Sequence, residues 1–118
     1  MNFVYKILTK DEWSRLEKHG MFTGSEADLR DGFIHLSHAD QLQGTAEKHF
    51  AGRGSLVLLA LDAQALADVL KDEISRGGAL FPHLYRALQR SDVVWHRVIM
   101  PSADGMPVIP DLTSPYPT

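Results

Sequence analysis

Two short motifs in this sequence of 118 residues combine side chains that can bind ligands or move protons. The first, FIHLS at residues 33–37, reads as a strand that leads into a helix start. Side chains alternate across a strand, so Phe33, His35 and Ser37 share one face. Backbone N–H groups at a helix start can hold an anionic or hydroxyl-bearing ligand. In the alternative interpretation, His35 is a core residue bonded to a carboxylate such as Asp31, and Ser37 only caps the helix.

The second motif, FPHLY at residues 81–85, would place Phe81, His83 and Tyr85 together on one strand face. Two aromatic rings and a histidine form a wall suited to a planar heterocycle, because the rings stack while the His and Tyr tips keep hydrogen-bonding capacity. The alternative is an aromatic core patch in which Pro82 marks a sheet edge or bend.

Glu73 and Arg76 come just before a Gly-Gly turn that leads into the second motif. A functional interpretation assigns Glu73 to a ribose hydroxyl or a developing positive charge, and Arg76 to a phosphate or carboxylate. The alternative is a single surface ion pair, which would contribute only about 0–1 kcal/mol.

Metal, acyl-transfer and kinase chemistry find little support in the sequence. Six histidines are present, but His38 and His49 would lie about 16 Å apart along one helix, too far to share an ion. We therefore expect no metal. The chain has no cysteine nucleophile, no G-x-S-x-G elbow, no phosphate-binding P-loop and no G-x-G-x-x-G dinucleotide motif.

Composition predicts one globular domain: 44% of the residues are hydrophobic, 23% are charged and none is cysteine. The net charge of −3 argues against nucleic acid as a partner. The longest apolar run, residues 56–61, is far shorter than the roughly 20 residues that span a bilayer. The first residues lack the pattern of a secretion signal, so we expect a cytoplasmic protein with no membrane partner.

Helices and strands are predicted to alternate irregularly, which favours an α+β fold. Capping boxes of the T-x-x-E and S-x-x-D types open helices that end at Gly20 and near Phe50. Residues 24–32 read as a loop or one helical turn, 63–70 as a third helix and 76–78 as a turn. Strands are expected near residues 2–8, 33–36, 55–61, 81–85 and 93–99. The domain would span residues 1–109, followed by a Pro-rich tail at 110–118.

Taken in order, the motifs resemble domain-of-unknown-function family 952 over about residues 3–99. The resemblance rests on Trp13 and on the segments DGFIHLS (31–37), TAEKHF (45–50), EISRGG (73–78) and FPHLY (81–85). That family is grouped by distant similarity with the ADP-ribosyltransferase-like fold. The resemblance therefore implies a small split mixed β-sheet with flanking helices and a cleft for NAD.

The same resemblance implies roles for individual residues. His35 and Ser37 would hold the ribose of NAD, and His83 or Tyr85 would pack on the nicotinamide. A carboxylate would stabilise the positive ribose as nicotinamide leaves. Glu73 is the candidate, although it precedes FPHLY, whereas the superfamily glutamate comes last. A related branch, the tRNA 2′-phosphotransferases, uses a second histidine, but the net negative charge argues against a tRNA substrate.

These observations lead to one main hypothesis and one alternative. The main hypothesis is an enzyme that handles NAD or ADP-ribose as a small nucleotide substrate, by ADP-ribosyl transfer or related chemistry. His35 and His83 would be its catalytic residues, and the ligand-binding residues would be Ser37, Tyr85, Arg76, Glu73, Asp31 and Phe81. The alternative is a module that binds a nucleotide or another small molecule without catalysis.

Overall fold

Antiparallel strands and three α-helices make up residues 2–112, the part of the chain that this computed structural model describes. The helices are α1 (Lys10–His19), α2 (Glu26–Asp31) and α3 (Leu42–Phe50). The strands are β1 (Phe3–Thr9), β2 (Met21–Phe22), β3 (Ile34–His35), β4 (Leu56–Asp62), β5 (Leu70–Ile74), β6 (Leu80–Leu84), β7 (Leu88–Gln89) and β8 (Val93–Ile99).

Local capping explains where the first two helices begin and end. Thr9 Oγ1 accepts a hydrogen bond from the Glu12 N–H at 3.2 Å, and the Glu12 carboxylate accepts one from the Thr9 N–H at 2.9 Å. Ser25 and Asp28 form the same reciprocal pair at the start of α2. The helices end at Gly20 and Gly32, whose positive φ angles of 77° and 85° favour glycine.

Three antiparallel sheets form the framework, with strand orders β1-β4-β8, β2-β7 and β3-β6-β5. This confirms the α+β fold, but the expected mixed sheet is wrong, because each pairing between the named strands is antiparallel. The short turn at Arg76–Gly78 joins neighbours β5 and β6, and so short a connection permits only the antiparallel direction.

The predicted helix at 63–70 is also wrong. The chain makes turns there, and the Asp62 side chain accepts from the Gln64 N–H at 3.0 Å. From Leu70 it forms β5, which pairs with β6 from Leu70↔Leu84 to Ile74↔Leu80. The expected helix from about 38 to 50 is shorter: a 3₁₀ turn at Ala39–Gln41 precedes α3. The predicted capping box of Ser37 and Asp40 is wrong, because the Ser37 hydroxyl contacts Thr45 and the Gln41 side chain accepts from the His38 N–H. The apolar residues of the segment 63–70 are compatible with either a helix or a strand, and pairing with β6 decided in favour of a strand at its end.

Two hydrophobic clusters cover the two faces of the central strand β4. Val57, Leu59 and Leu61 face the first cluster, which also contains Ile34 and Leu84 from the β3-β6-β5 sheet. Alternate residues of β4 face the second cluster, beneath α3. Leu112 packs against this second cluster, and residues 113–118 of the predicted tail lie outside the described part. Between residues 2 and 112 no helix is both long and apolar enough to cross a membrane.

Candidate functional site

Asp28 is a buried acceptor that fixes the backbone and ring of His35. Its side chain is only 1% exposed. Asp28 Oδ1 lies 3.0 Å from the His35 N–H and 2.7 Å from His35 Nδ1, while Oδ2 lies 3.1 Å from Lys6 Nζ. Lys6 also donates to the His35 carbonyl at 2.9 Å. The ion pair between β1 and α2 therefore anchors β3 from both sides.

The electrostatics of Asp28 favour its charged form. Burial on its own would raise the pKa of Asp28, but the Lys6 charge and hydrogen bonds from His35 and Ser25 together lower it below the usual value. The close approach of α2 also requires glycine at position 24: φ is 131°, and an added Cβ would lie 2.7 Å from Asp28 Cβ. Asp28 is therefore an ionised carboxylate built into the site.

His35 has carboxylates on both ring nitrogens. Nδ1 faces Asp28 at 2.7 Å, and Nε2 faces Asp31 Oδ2 at 2.9 Å. An imidazole can donate from both nitrogens only when it is protonated. The two carboxylates therefore hold the His35 ring in one orientation between them. Its side chain is 32% exposed, so the ring remains accessible.

Asp31 is the accessible member of this arrangement, with its side chain 33% exposed. The pKa of Asp31 is lowered first by its hydrogen bond from Arg30, at 3.0 Å, and also by His35. A ligand oxygen that replaced Asp31 would lie against His35 Nε2, on a ring that Asp28 already holds in position.

A chain of polar contacts leads from Ser37 to Arg76. Ser37 is buried, and its hydroxyl lies 3.0 Å from Thr45 Oγ1 on α3. Arg76 donates to the same Thr45 oxygen at 3.3 Å, and its guanidinium lies 4.9 Å from the centre of the Phe81 ring. The Arg76 side chain therefore bridges α3 and β6.

These groups line one open groove of about 770 Å³ between α2, α3 and the turn before β6. Its lining includes His35, Ser37, Thr45, Arg76 and Phe81, together with Lys48, His49 and Arg53. The structure assigns Lys48, Arg53 and Arg76 no ion pair with another described residue, whereas Asp28 and Asp31 are both paired. Glu12 and Glu26 also line the groove, but they belong to α1 and α2, whereas Lys48 lies on α3 and Arg76 contacts α3 at Thr45, so the positive side chains without an ion pair lie on the α3 side.

The second predicted motif forms a separate network. Glu73 Oε1 accepts from Tyr85 Oη at 2.5 Å and lies 2.8 Å from His83 Nδ1. The His83 ring stacks on Phe33 with centroids 3.9 Å apart and is 3% exposed. In the described chain, its Nε2 is the one buried side-chain nitrogen or oxygen without a hydrogen-bond partner. The hydrogen bond from Tyr85 and, second to it, the one from His83 lower the pKa of Glu73.

The structure brings some predicted site residues together and separates others. Asp31, His35, Ser37, Arg76 and Phe81 line the groove, whereas Glu73, His83 and Tyr85 do not. Cross-strand pairing puts His83 directly opposite His35, with ring centroids 5.6 Å apart, but Phe33 covers it. Glu73 bonds to His83 and Tyr85, not to Arg76, so the alternative of a Glu73–Arg76 surface pair is wrong.

Sequence reasoning missed Asp28, Lys6, Thr45 and the basic groove residues. Ser25 and Asp28 have the S-x-x-D spacing of a capping box, which was a usable signal for α2. The contacts of Asp28 to Lys6 on β1 and to His35 on β3 had no such signal, because the partners are separated by 22 and by 7 positions in the sequence. Among residues 2–112, no group of three His, Asp or Glu side chains is arranged to hold a metal.

Fold and site together define a small α+β protein with one polar groove beside a histidine fixed by two carboxylates. Residues 7–96 match the family described as protein of unknown function (DUF952), and the chain belongs to that family. No curated protein matches the chain.

Solved structures of one bacterial protein share this fold. The crystal structure of CC0527 from Caulobacter crescentus is 50% identical, with a TM-score of 0.86 over 91% of this chain and 94% of that one. A double mutant of CC0527 gives the same values. The solution NMR structure of CC0527 is 51% identical, with a TM-score of 0.81 over 91% of this chain and 92% of that one.

Proposed function

We propose that the groove binds NAD or ADP-ribose, in keeping with the resemblance to the ADP-ribosyltransferase-like superfamily. The observation that carries the proposal is a series of contacts along the groove. Ser37, two residues after His35, contacts the Thr45 hydroxyl at 3.0 Å, and that hydroxyl accepts from the Arg76 guanidinium at 3.3 Å. A ribose next to a diphosphate presents hydroxyls and negative charge in the same order.

The dimensions and contacts support such a ligand. A volume of about 770 Å³ lies within the range of about 300–1,000 Å³ typical of small-molecule sites. The His35 Nε2–H can donate to a ribose oxygen that takes the place of Asp31. Arg76 has a planar guanidinium with no carboxylate partner among the described residues, which suits a phosphate.

Calorimetric titration tests this proposal. ADP-ribose and NAD should both bind, whereas adenosine, which lacks the diphosphate, should bind far more weakly. Arg76→Gln should raise Kd about tenfold. Lys71→Gln is the matched control, because it removes one positive charge from β5 outside the groove and should leave Kd unchanged. No heat with either nucleotide would overturn the proposal.

Transfer chemistry on the bound nucleotide is the second candidate, and Asp31 is the observation that favours it. Its partly exposed carboxylate lies in the groove, where it could stabilise positive charge on a ribose as nicotinamide leaves. Glu73 is less suited to this role, because His83 and Tyr85 hold it outside the groove lining. Chromatography should then detect nicotinamide released from NAD by the wild type but not by Asp31→Asn. Binding without release in the wild type would assign the protein as a binding module.

A further inference from the structure

The α3 side of the groove brings basic side chains from two elements together around His49. Thr45 and His49 are four residues apart on α3 and therefore lie on the same helix face. The Arg76 guanidinium contacts Thr45 at 3.3 Å, which brings it beside the helical turn that carries His49. Lys48, the residue before His49, also lines the groove, and its charge acts on the His49 ring together with that of Arg76.

Helix capping explains only part of this charge. Lys48 and His49 lie in the last turn of α3, where cations interact favourably with the helix dipole. Arg76 belongs to a different element, the turn between β5 and β6, and has no carboxylate partner among the described residues. Arg76 therefore adds a second permanent cation to that of Lys48 beside the His49 ring, and two like charges at one end of a groove favour a bound anion.

We propose that this end of the groove binds the diphosphate of the ligand and that His49 takes up a proton when the anion binds. The inference rests on the proposed function for the identity of the ligand, but the anion site itself rests on the cations. It adds a regulatory property: binding should strengthen as the pH falls.

The surroundings of His49 support the direction of this effect. His49 is exposed overall, but partial desolvation of its ring, followed by the charges of Arg76 and Lys48, lowers its pKa and favours the neutral imidazole when the groove is empty. The charged or titratable groups acting on it come from β1, β3, α3 and the turn before β6: Lys6, His35, Lys48 and Arg76. Four carboxylates line the groove: Asp28 and Asp31 pair with Lys6, His35 and Arg30, the Glu12 carboxylate accepts from the Thr9 N–H, and Glu26 lies in the first turn of α2. A bound dianion would reverse the local field and favour the imidazolium.

The test measures proton uptake during binding. Titrations of ADP-ribose and of sulfate are run in two buffers with different ionisation enthalpies, since neither ligand titrates in the neutral range. At about pH 6.5 the wild type should take up on the order of half a proton with either ligand. ADP-ribose should bind roughly threefold to tenfold more tightly at about pH 6 than at about pH 8.

Two histidine variants identify the residue that takes up the proton. His49→Gln should abolish both the uptake and the pH dependence, whereas His19→Gln, at the exposed end of α1, should retain them. Uptake that persists in His49→Gln, no uptake in the wild type, or no sulfate binding would overturn this inference. Sulfate binding with proton uptake but no ADP-ribose binding would support the anion site and refute only the proposed function.

Discussion

His35 and His83 are cross-strand neighbours in one sheet, yet the structure treats them in opposite ways. His35 faces the groove with a carboxylate on each ring nitrogen, 2.7 Å and 2.9 Å away. His83 lies buried beneath Phe33 with a carboxylate on Nδ1, and its Nε2 has no partner among residues 2–112. The two rings share a face and a residue type, so the difference arises from what surrounds them.

This difference separates two functions that histidine can have in one sheet. Ion pairs to α2 hold His35 as an oriented donor beside solvent. Stacking holds His83 as part of a packed aromatic layer, with Glu73 and Tyr85 on its polar side. We infer that the groove uses His35 directly, and that His83 shapes the sheet face on which His35 stands.

Removal of the Asp28 charge should have the largest effect. Asp28→Asn leaves the largely buried Lys6 ammonium and the His35 ring without their shared carboxylate. Loss of one partner from a buried ion pair costs about 3–5 kcal/mol, a large part of the stability of a small domain. Urea unfolding at neutral pH measures the loss. Asp31→Asn removes the more exposed carboxylate that faces the same His35 ring, and it should lower the free energy of unfolding by only a small fraction of that loss.

The pH dependence of stability provides a control for this comparison. The folded-state pKa of Asp28 is lowered, so its contribution to stability is complete above the unfolded value of about 3.9. It is lost as the pH falls through the folded-state pKa. The difference in unfolding free energy between wild type and Asp28→Asn should therefore shrink in strongly acidic solution. A constant difference at all pH values would contradict the assignment of Asp28 as the ionised anchor.

Replacement of His83 should have a smaller effect that depends on the size of the new side chain. His83→Ala leaves a cavity beneath Phe33 and should cost about 3 kcal/mol. His83→Leu fills the space and removes the buried nitrogen that lacks a partner, so its stability should lie within about 1 kcal/mol of wild type. Equal losses in both variants, measured by urea unfolding, would show that the Glu73 hydrogen bond matters more than packing.

How far the sequence predicted this arrangement depends on the distance over which each signal acts. Alternation along a strand correctly placed His35 with Ser37 and His83 with Tyr85, because a period of two residues is a local property. The capping box predicted at Thr9 is equally local and marks a real helix start, whereas the box predicted at Ser37 does not form because its hydroxyl contacts Thr45 on α3.

The signals that failed depend on contacts between distant segments. Residues 63–70 contain apolar side chains at helical spacing, but pairing of Leu70 with Leu84 converts the end of this segment to a strand. The position of Phe33 over His83, which keeps His83 out of the groove, likewise depends on the register between β3 and β6. Neither register can be read from one strand alone.

The smallest expected effect is on the ionisation of Tyr85. Glu73 accepts a hydrogen bond from the phenol at 2.5 Å, and this bond raises the pKa of Tyr85 above its ordinary value near 10. Tyr85 is 42% exposed, so the effect should be visible in its titration but not in the stability of the protein. The ultraviolet difference titration of wild type minus Tyr85→Phe isolates this phenol from the other two tyrosines.

Glu73→Gln then tests whether the carboxylate is the cause. In this variant the phenol should titrate closer to its ordinary value, because the negative charge that favours the protonated hydroxyl is gone. His83→Leu should leave the pKa of Tyr85 raised, since Glu73 and Tyr85 still face each other. If His83→Leu instead lowers the pKa of Tyr85 as far as Glu73→Gln does, then His83 orients the carboxylate. The buried histidine would in that case be a positioning residue as well as a packing one.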